Sequence, residues 1–394
     1  MNVLLVTESY WPNADGGAFF ERRLVHGLIE LGNSVTIWAP APRFSSYDEQ
    51  DGDSIIHRER GVTLWANTKY KVSLFPFLKA RAIILRDKPE VIHIHNCYGM
   101  GLASMFWARH YKIPVIATNH FMPENLTLNL KLPDIINRPL ERLTWSFLVW
   151  FHNRAQYVTS PTPTAVKLLL DHGLKVPSEA ITNGIDTNIF RPDHDPTLVV
   201  AKYGIATDRP VVLYLGRLDG EKRVDLLVEA MGQVSAANVE AQLVLVGYGK
   251  AMNSLKAQAK RLGIAKNVVF TGFIAENDKP KIYNAAKVFA ISSPAELQSI
   301  VTLEAMASGL PVVAVNVAAL KELCQDGING FLFPQGEVQV LAQKIMIILK
   351  DKALQKRFGT ASISIVQADH STNHMIKAYE TAYKRVIKKA GRYK

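Results

Sequence analysis

Two glutamates separated by seven residues flank a predicted helix start in the second half of the chain. Glu296 follows a predicted strand, and Glu304 lies in the first turns of a helix that begins near Ser299. The N–H groups at a helix start favour a phosphate, and a carboxylate can accept hydrogen bonds from two neighbouring ribose hydroxyls. The segment therefore fits a nucleotide with a sugar beside Glu296, and two solvated glutamates are the plainer alternative.

A strand-to-helix loop carries two further candidates, Arg217 and Lys222, in the run GRLDGEKR. Two cations placed in this way can hold a diphosphate and stabilise it as a leaving group without a metal. The sequence has no obvious acidic metal cage beside this loop and no Cys/His cluster with zinc spacing. We therefore expect no metal and no other cofactor, and an ordinary surface loop is the alternative.

Glycines follow two other predicted strands. Gly16 and Gly17 stand where the first loop enters a helix, and Gly247 closes a strand in the second half. Glycine lets backbone N–H groups approach an anion closely. The spacing is not the Gly-x-Gly-x-x-Gly of dinucleotide sites, so a flexible turn is an equal alternative.

The elements that must position these residues alternate regularly along the chain. Continuous apolar runs separated by amphipathic helices are typical of parallel sheets covered on both faces. The predicted strands are 3–7, 35–39, 91–95, 114–118, 157–160, 211–215, 243–246, 268–271, 288–291 and 312–315. The predicted helices include 19–31, 163–172, 221–235, 251–262, 278–286, 301–308, 338–350 and 372–390. The pattern predicts an α/β protein with two Rossmann-like, doubly wound domains.

A polar segment with two prolines, residues 190–196, separates the two runs of strands. We expect one domain over residues 1–188, a second over 189–370 and a basic helix over 371–394. Ligands of such sheets bind beyond the carboxyl ends of the strands, and clefts between domains are favoured pockets. The sequence therefore predicts a ligand cleft between the domains.

Composition excludes several classes of protein. The chain has 394 residues, of which 48% are apolar and 21% charged, which is typical of a globular protein and not of a disordered or fibrous one. Its two cysteines exclude a disulfide framework and favour a reducing cytoplasm. Since the sequence has no apolar run of about 18 residues, we expect no transmembrane helix.

The net charge of +11 is concentrated near the end of the chain. The last 24 residues contain seven basic residues and one acidic residue, and the basic set includes Lys384, Arg385, Lys388 and Lys389. Such a cluster suits an anionic surface. A membrane is favoured over nucleic acid because the chain carries no nucleic-acid recognition motif. A solvated helix face is the alternative.

Residues 128–157 mix aromatic and basic side chains, among them Lys131, Arg138, Trp145 and Trp150. An amphipathic stretch of this composition suits insertion at a lipid interface. An ordinary helix packed on the first domain is the alternative.

Taken together, these segments resemble the retaining glycosyltransferases of family 4, which have the GT-B fold. The resemblance covers essentially the whole chain, and its motifs stand in the family's order. They are Gly16-Gly17, the strand end at Thr118-Asn119-His120, NGID at 183–186, Arg217 with Lys222, and EAMASGLPVV from Glu304 onward.

The resemblance implies a role for each matching residue. Arg217 and Lys222 would neutralise the donor diphosphate, and Glu304 would hold the nucleotide ribose. Glu296 would orient the donor sugar or stabilise its developing charge, and His120 would lie near a hydroxyl of the reacting sugar. The first domain would bind the acceptor and the second the donor.

The chain departs from the family at one point. The usual Glu-Gly-Phe-Gly is ELQS here, although the backbone of Ser299 and Ile300 can still contact the sugar. The amide of Gln298 could form a hydrogen bond with a sugar hydroxyl. A similar glutamine occurs in members of the family that glycosylate diacylglycerol. By the same resemblance, Gly16 would lie near the diphosphate.

We therefore expect a retaining hexosyltransferase that moves a sugar, glucose first, from a UDP- or GDP-linked donor to a membrane lipid such as diacylglycerol. It would work on the cytoplasmic face of the cell membrane as a peripheral protein, with no nucleic-acid partner. One alternative keeps the fold but uses GDP-mannose or a UDP-sugar with a soluble polysaccharide or small-molecule acceptor. An alternative of another class is a catalytically inactive sugar-nucleotide-binding protein.

Overall fold

The computed structural model describes residues 1–12, 16–63, 71–73, 76–124 and 133–391. The chain divides into two units. The first consists of Met1–Pro123, Leu132–Gly184 and Thr372–Lys394, and the second of Glu124–Lys131 and Ile185–Ser371. The expected boundary after residue 188 lies close to the crossing that follows Gly184.

The first unit is built on a sheet whose central strands are continuous apolar runs. Its strands are β1 (Asn2–Val6), β2 (Ser34–Pro40), β3 (Tyr47–Asp51), β4 (Ser54–Glu59), β5 (Gly61–Thr63), β6 (Lys71–Ser73), β7 (Val91–Ile94), β8 (Val115–Thr118), β9 (Tyr157–Ser160) and β10 (Ser178–Ala180). Within the described residues, eight of them form one sheet in the order β10-β9-β8-β7-β1-β2-β4-β3, and β5 pairs separately with β6. Pairs in the large sheet are parallel except β3–β4, which is antiparallel.

Helices cover both faces of this sheet. They are α1 (Gly16–Glu30), α2 (Pro76–Asp87), α3 (Gly99–His110), α4 (Asp134–His152) and α5 (Pro163–Asp171). Leu4 of β1 packs in a core with α2 to α5, whereas Leu5 packs in a second core with α1. Successive strand residues point to opposite faces, so the two cores lie on the two sides of the sheet.

The second unit repeats this plan with a fully parallel sheet. Its strands are β11 (Val211–Leu215), β12 (Gln242–Val246), β13 (Val268–Gly272), β14 (Val288–Ile291), β15 (Val312–Val315) and β16 (Gly330–Phe333). They lie in the order β13-β12-β11-β14-β15-β16, and each neighbouring pair is parallel. The order reverses between β11 and β14, and in open α/β sheets ligands bind beyond the carboxyl ends of the strands at such a point.

The helices of the second unit are α6 (Thr197–Lys202), α7 (Val224–Ala236), α8 (Met252–Arg261), α9 (Lys279–Ala285), α10 (Ile300–Ala307), α11 (Leu320–Leu323), α12 (Val338–Lys350) and α13 (Lys352–Ile365). The buried side chains of this unit form one continuous core around its sheet. The predicted α/β architecture of two doubly wound units is confirmed.

The last helix, α14 (Thr372–Lys389), belongs to the first unit and packs beside α1. Its buried side chains recur every three or four residues, as a helix with one apolar face requires. They are Met375, Ile376, Tyr379, Ala382, Tyr383, Val386 and Ile387. At Gly27 of α1, an added Cβ would overlap the side chain of Ile376, so the glycine permits the close approach of the two helices.

Several elements differ from the sequence-based expectation. The strands β3, β4, β5, β6, β10 and β16 were not predicted, because they are short, polar or at the edge of a sheet, and β3 reads YDEQD. The predicted helix 221–235 is divided into a 3₁₀ turn, Gly220–Lys222, and α7. Arg223, between them, has a left-handed φ of 51° that ends the first turn.

Candidate functional site

Arg217 lies in the loop after β11, beside the point where the strand order of the second sheet reverses. Its guanidinium is 2.7 Å from Asp219 and 2.6 Å from Glu221. The Glu221 side chain is 2% exposed, whereas that of Arg217 is 60% exposed. Two carboxylates of its own loop therefore hold this cation at the surface, where a phosphate could reach it.

Lys222 and Glu296 are in direct contact. The Lys222 Nζ donates to the Glu296 Oε1 at 2.7 Å, and the two side chains are 16% and 17% exposed. Lys222 ends the 3₁₀ turn after β11, and Glu296 lies in the loop after the neighbouring strand β14. The Ser292 hydroxyl fixes the turn by donating to the carbonyl of Arg223 at 2.7 Å. The expected diphosphate cation and the expected sugar carboxylate are thus brought together, although the chain separates them by 74 positions.

Ser299 caps the helix that begins with Ile300, close to the predicted start. Its Oγ accepts hydrogen bonds from the Thr302 N–H at 3.3 Å and from the Thr302 hydroxyl at 2.8 Å. An N-cap serine satisfies one of the otherwise unpaired donors of the first turn. Gln298 and Ser299 are buried and Ile300 is half-buried, so this helix start lies within the same loop cluster as Glu296.

Glu304 lies one turn into α10 and is held by a residue that sequence reasoning missed. The Tyr283 hydroxyl donates to the Glu304 Oε2 at 2.7 Å, and both residues are buried. Burial and the nearby Glu304 carboxylate raise the pKa of Tyr283 well above its usual value. The phenol therefore stays neutral and remains a donor that orients the carboxylate. Nothing in the local sequence around Tyr283 signals this contact.

Two glycine loops meet beside Arg217. An added Cβ at Gly247, whose φ is 127°, would overlap the carbonyl oxygen of Gly216. Asp219 links the same loops by accepting a hydrogen bond from the Lys250 N–H at 2.9 Å. A glycine is therefore required at position 247 so that the two loops can pack closely. This requirement holds whether or not Gly247 also contacts a ligand.

In the first unit, Gly16 and Gly17 begin α1, as expected, and the preceding residues 13–15 lie outside the described part of the chain. The NGID motif, residues 183–186, follows β10, and its Gly184 has a φ of 63°. The Arg23 guanidinium, from α1, donates to the Gly184 carbonyl at 3.0 Å. This hydrogen bond joins α1 to the segment at which the chain leaves the first unit.

His120 follows β8 and is half-buried. Its Nε2 is 3.2 Å from the Nδ1 of His95, and the two rings are nearly parallel with an interplanar angle of 13°. Burial lowers the pKa of His120 to about 4, so the ring is neutral near pH 7. A neutral imidazole can donate one hydrogen bond and accept another, but it cannot supply a positive charge.

A buried network behind His120 was not foreseen. His93 lies in β7 and His95 directly follows that strand. His93 contacts the Tyr383 hydroxyl at 2.7 Å and the Thr118 hydroxyl at 2.6 Å. His93 and His95 lie with ring centroids 4.0 Å apart. The run VIHIH at 91–95 offered a signal, because polar side chains at the carboxyl end of a buried strand are unusual.

Glu8, two positions beyond the end of β1, is a further residue that the sequence did not single out. It is buried, and its Oε1 accepts a hydrogen bond from the Met100 N–H, in the first turn of α3, at 3.1 Å. Burial raises the pKa of Glu8 to about 7. This carboxyl group therefore titrates near neutral pH at the carboxyl edge of the first sheet.

The aromatic and basic stretch forms α4, and the structure corrects one expectation about it. Trp145 is 2% exposed and stacks on His172, with ring centroids 4.0 Å apart. The expectation that Trp145 meets a lipid interface is wrong, because the side chain belongs to the core of the first unit. Trp150, by contrast, is 45% exposed, and Lys131 lies outside the described residues.

The exposed side of α4 carries an apolar stripe, which we call the α4 face. It consists of Ile136, Leu143, Phe147 and Trp150. Their spacing of seven, four and three positions places them along one side of the helix. Arg138 and Arg142 are also exposed, and the Arg154 guanidinium lies 3.7 Å from the centroid of the Trp150 ring.

The basic residues of α14 differ in their surroundings. Lys384 pairs with Glu380 at 3.0 Å, and Arg385 lies 3.4 Å from Glu179. Lys388 and Lys389 are exposed and form no ion pair with any described residue. They therefore offer more free charge to an anionic surface than their two neighbours.

Two further properties concern metals and membranes. No group of three or more His, Cys, Asp or Glu side chains in the described ranges is arranged to hold a metal ion. Among the helices of the described chain, none has both the length and the apolar character needed to cross a bilayer.

Comparison with known proteins gives consistent results for both units. Residues 14–189 match the family described as Glycosyltransferase Family 4, and residues 197–364 match Glycosyl transferases group 1. The chain is 30% identical over 338 residues to an alpha-monoglucosyldiacylglycerol synthase of Streptococcus pneumoniae, which covers 84% of this chain and 75% of that one. It is 24% identical over 335 residues to a GDP-mannose-dependent alpha-mannosyltransferase of Corynebacterium glutamicum, with 84% and 76% covered.

Solved structures share the fold at lower identity. A sucrose-phosphate synthase from Thermosynechococcus elongatus superposes with a TM-score of 0.81 at 20% identity and covers 98% of this chain and 99% of that one. Anabaena Alr3699/HepE in complex with UDP-glucose gives a TM-score of 0.75 at 20% identity, with 97% and 100% covered. The expected resemblance is confirmed by sequence and by fold, and the chain belongs to glycosyltransferase family 4 as a glycosyltransferase with the GT-B fold.

Proposed function

We propose that this glycosyltransferase transfers glucose, with retention of configuration, from a nucleotide-diphosphate donor to a membrane lipid such as diacylglycerol, without a metal. The observation that carries the donor half is the contact of Lys222 with Glu296 beside Arg217. These groups lie where the second sheet reverses its strand order, the usual ligand position in such sheets.

Donor binding would exchange the partners of the two cations. Before binding, Asp219 and Glu221 hold Arg217, and Glu296 holds Lys222. A diphosphate carries more charge than one carboxylate and offers the planar guanidinium a bidentate acceptor. Lys222 would then turn to the diphosphate, and the released Glu296 carboxylate would be available to the sugar.

The remaining residues of the second unit would fix the donor. Glu304, oriented by Tyr283, would accept hydrogen bonds from the ribose hydroxyls. The first N–H groups of α10, at Ser299 and Ile300, would face the sugar or its phosphate. Gln298 would contribute an amide to a sugar hydroxyl.

In the transfer step, the bond between the anomeric carbon and the diphosphate oxygen breaks as the acceptor oxygen bonds to that carbon from the same face. The acceptor proton passes to the departing diphosphate, so atoms and charge balance. Arg217 and Lys222 would stabilise the charge that develops on the leaving group. Because these cations supply that stabilisation, the proposal requires no metal.

The acceptor half rests on the α4 face and on the basic end of α14, both in the first unit. Exposed aromatic and aliphatic side chains beside arginines suit the boundary between headgroups and acyl chains. Clustered lysines at Lys388 and Lys389 add attraction to anionic lipids. The name of the pneumococcal relative, a monoglucosyldiacylglycerol synthase, agrees with a lipid acceptor and with glucose. We accordingly propose peripheral binding to the cytoplasmic face of the membrane.

One relative supports a second candidate. The corynebacterial protein is named for a GDP-mannose donor, and it matches this chain over a comparable length. A mannose or other UDP-sugar donor with a soluble acceptor would use the same cations and glutamates. An inactive binding protein is less favoured, since Arg217, Lys222, Glu296 and Glu304 are all present.

A donor and acceptor panel tests the proposal. UDP-glucose, UDP-galactose and GDP-mannose are each offered with diacylglycerol in anionic vesicles and with soluble oligosaccharides, and products are read by mass spectrometry. We expect hexosyl-lipid from UDP-glucose, formed roughly 10- to 150-fold more slowly by the Glu296→Gln variant. Transfer only to soluble acceptors favours the second candidate, and donor binding without turnover on any acceptor favours the inactive protein.

A further inference from the structure

The contact between His95 and His120 requires a defined proton arrangement. Their ring nitrogens are 3.2 Å apart, with the Nδ1 of His95 facing the Nε2 of His120. A hydrogen bond between two imidazoles needs one N–H and one lone pair. The position of a single proton therefore decides which ring donates.

Two features place this proton on His95. The Glu21 Oε1 lies 3.8 Å from the Nδ1 of His95, and both side chains are buried. A nearby carboxylate favours a proton on the nitrogen that faces it. The other nitrogen of His95, Nε2, is buried and has no hydrogen-bond partner among the described residues. A proton on Nε2 would be a buried, unpaired donor, which is costlier than an unused lone pair.

Neighbouring aromatic rings pack against His95. Phe20 contacts both rings at their edges, with centroids 5.7 Å from His95 and 5.1 Å from His120. His93 also packs against His95, with ring centroids 4.0 Å apart, and Tyr383 and Thr118 hold His93 by hydrogen bonds. The ring of His95 is thus held among three other rings of the first unit, those of Phe20, His93 and His120.

We propose that His95 is a positioning residue that holds His120 in its Nδ1–H form, so that His120 meets the substrate as a hydrogen-bond donor and not as a base. With Nε2 of His120 occupied by the His95 N–H, the neutral ring must carry its own proton on Nδ1. Within the described part of the chain, hydrogen bonding at the His120 ring is confined to Nε2. The Nδ1–H is therefore the group available to a ligand, and it must face an acceptor oxygen, such as a sugar hydroxyl oxygen.

The assignment of a substrate to this donor rests on the proposed function, but the proton arrangement does not. It can be measured on the protein without substrate, by ¹⁵N NMR of a sample labelled at histidine, because the two neutral tautomers have different nitrogen shifts. The His120→Gln variant identifies the signals of His120. We expect the Nδ1–H form in the native protein. The Nε2–H form would overturn the proposal, whatever the enzymatic activity.

Two variants of His95 separate positioning from packing. His95→Asn keeps an N–H donor near the original Nδ1, whereas His95→Leu keeps only bulk. We expect His120 to stay in the Nδ1–H form in the first and to shift toward the Nε2–H form in the second. An unchanged tautomer in a folded His95→Leu protein would contradict the role. If that variant does not fold, the native and His95→Asn spectra decide.

Turnover provides a further readout. With UDP-glucose as the probe, we expect His95→Leu to lower kcat about fivefold, the effect of losing one hydrogen bond. His95→Asn should stay within about twofold of the native rate. The affinity for UDP, measured by calorimetry, should be unchanged in both, because the proposed nucleotide contacts lie in the second unit. Equal losses of kcat in the two variants would contradict a positioning role.

Discussion

Lys222 and Glu296 form a 2.7 Å ion pair at the point where the second sheet reverses its strand order. Both side chains are mostly buried, so the pair is held more firmly than an exposed one would be. In the proposed reaction the two residues have different partners: Lys222 contacts the diphosphate of the donor, and Glu296 contacts its sugar. We therefore propose that the pair is a resting arrangement that donor binding opens.

Glu296→Ala and Glu304→Ala should have different kinetic effects. The proposed ribose contact of Glu304 would exist in the ground state, so its loss should raise the donor KM. Glu296 is proposed to lie beside the charge that develops during transfer, so its loss should mainly lower kcat. Either loss is worth about 1.5–3 kcal/mol, as for a hydrogen bond to a charged group. Steady-state kinetics measure both, with the exposed Glu240→Ala as a neutral control. The same pattern in both variants would refute the assigned roles.

Chelation should leave transfer intact. Arg217 and Lys222 are proposed to neutralise the diphosphate, which in other enzymes a divalent ion does. We expect the initial rate in excess EDTA to equal the rate with added magnesium. Loss of activity in EDTA that magnesium or manganese restores would show that the cations do not suffice. The Arg217→Ala variant, assayed with and without magnesium, should be slow in both conditions.

Glu8→Gln should stabilise the protein at alkaline pH and much less at acid pH. Burial raises the pKa of Glu8 from 4.5 to about 7. The stability contributed by the neutral carboxyl is fully present below pH 4.5 and is lost as pH rises through 7. Glutamine is always neutral and can still accept from the Met100 N–H. The expected gain in unfolding free energy at pH 8 is at most about 3 kcal/mol, with most of it gone at pH 5.

Denaturant unfolding at the two pH values measures this difference, with the exposed Glu30→Gln as the control. A gain from Glu8→Gln that is equal at pH 5 and pH 8 would contradict the raised pKa.

Binding to anionic vesicles should depend on the α4 face and on the end of α14. We expect sedimentation with phosphatidylglycerol vesicles at low salt and release at high salt, since exposed charges are screened. Replacing Phe147 and Trp150 together by Ser should weaken binding. Neutralising Lys388 and Lys389 should cost about 1 kcal/mol each, more than neutralising the paired Lys384 and Arg385.

Two comparisons make the vesicle experiment specific. Phe273→Ser, at a side chain 77% exposed in the second unit, should leave vesicle binding unchanged. Trp145→Ser should lower the unfolding temperature, because Trp145 is a core residue. If the native protein stays in the supernatant at low salt, the lipid-acceptor proposal loses its main support.

The buried framework could be predicted from sequence, and the contacts across it could not. Strands such as β11 and β15 were predicted at their observed bounds because a strand buried on both faces must be a continuous apolar run. The polar edge strand β3 lacks this signal. The contacts of Lys222 with Glu296, Tyr283 with Glu304 and His95 with His120 join distant segments, and they depend on strand order, which no local period encodes.

The error at Trp145 has a similar cause. Trp145 and Trp150 are the same residue type in the same helix, but five positions rotate a side chain by about 140° around the axis. One therefore faces the core and the other the solvent. The composition of the segment shows that it is rich in aromatic and basic residues. Which of these side chains a membrane could contact depends on the orientation of α4 in the fold.

The most direct test of the central claim is the identity and anomeric configuration of the product formed from UDP-glucose and diacylglycerol in anionic vesicles. Mass spectrometry gives the added mass, and the proton coupling at the anomeric carbon gives the configuration. We predict an α-linked glucosyl lipid made by the native protein in the presence of EDTA, and roughly 10- to 150-fold slower formation of it by Glu296→Gln. A β-linked product, or no lipid product while sugar passes to a soluble acceptor, would contradict it.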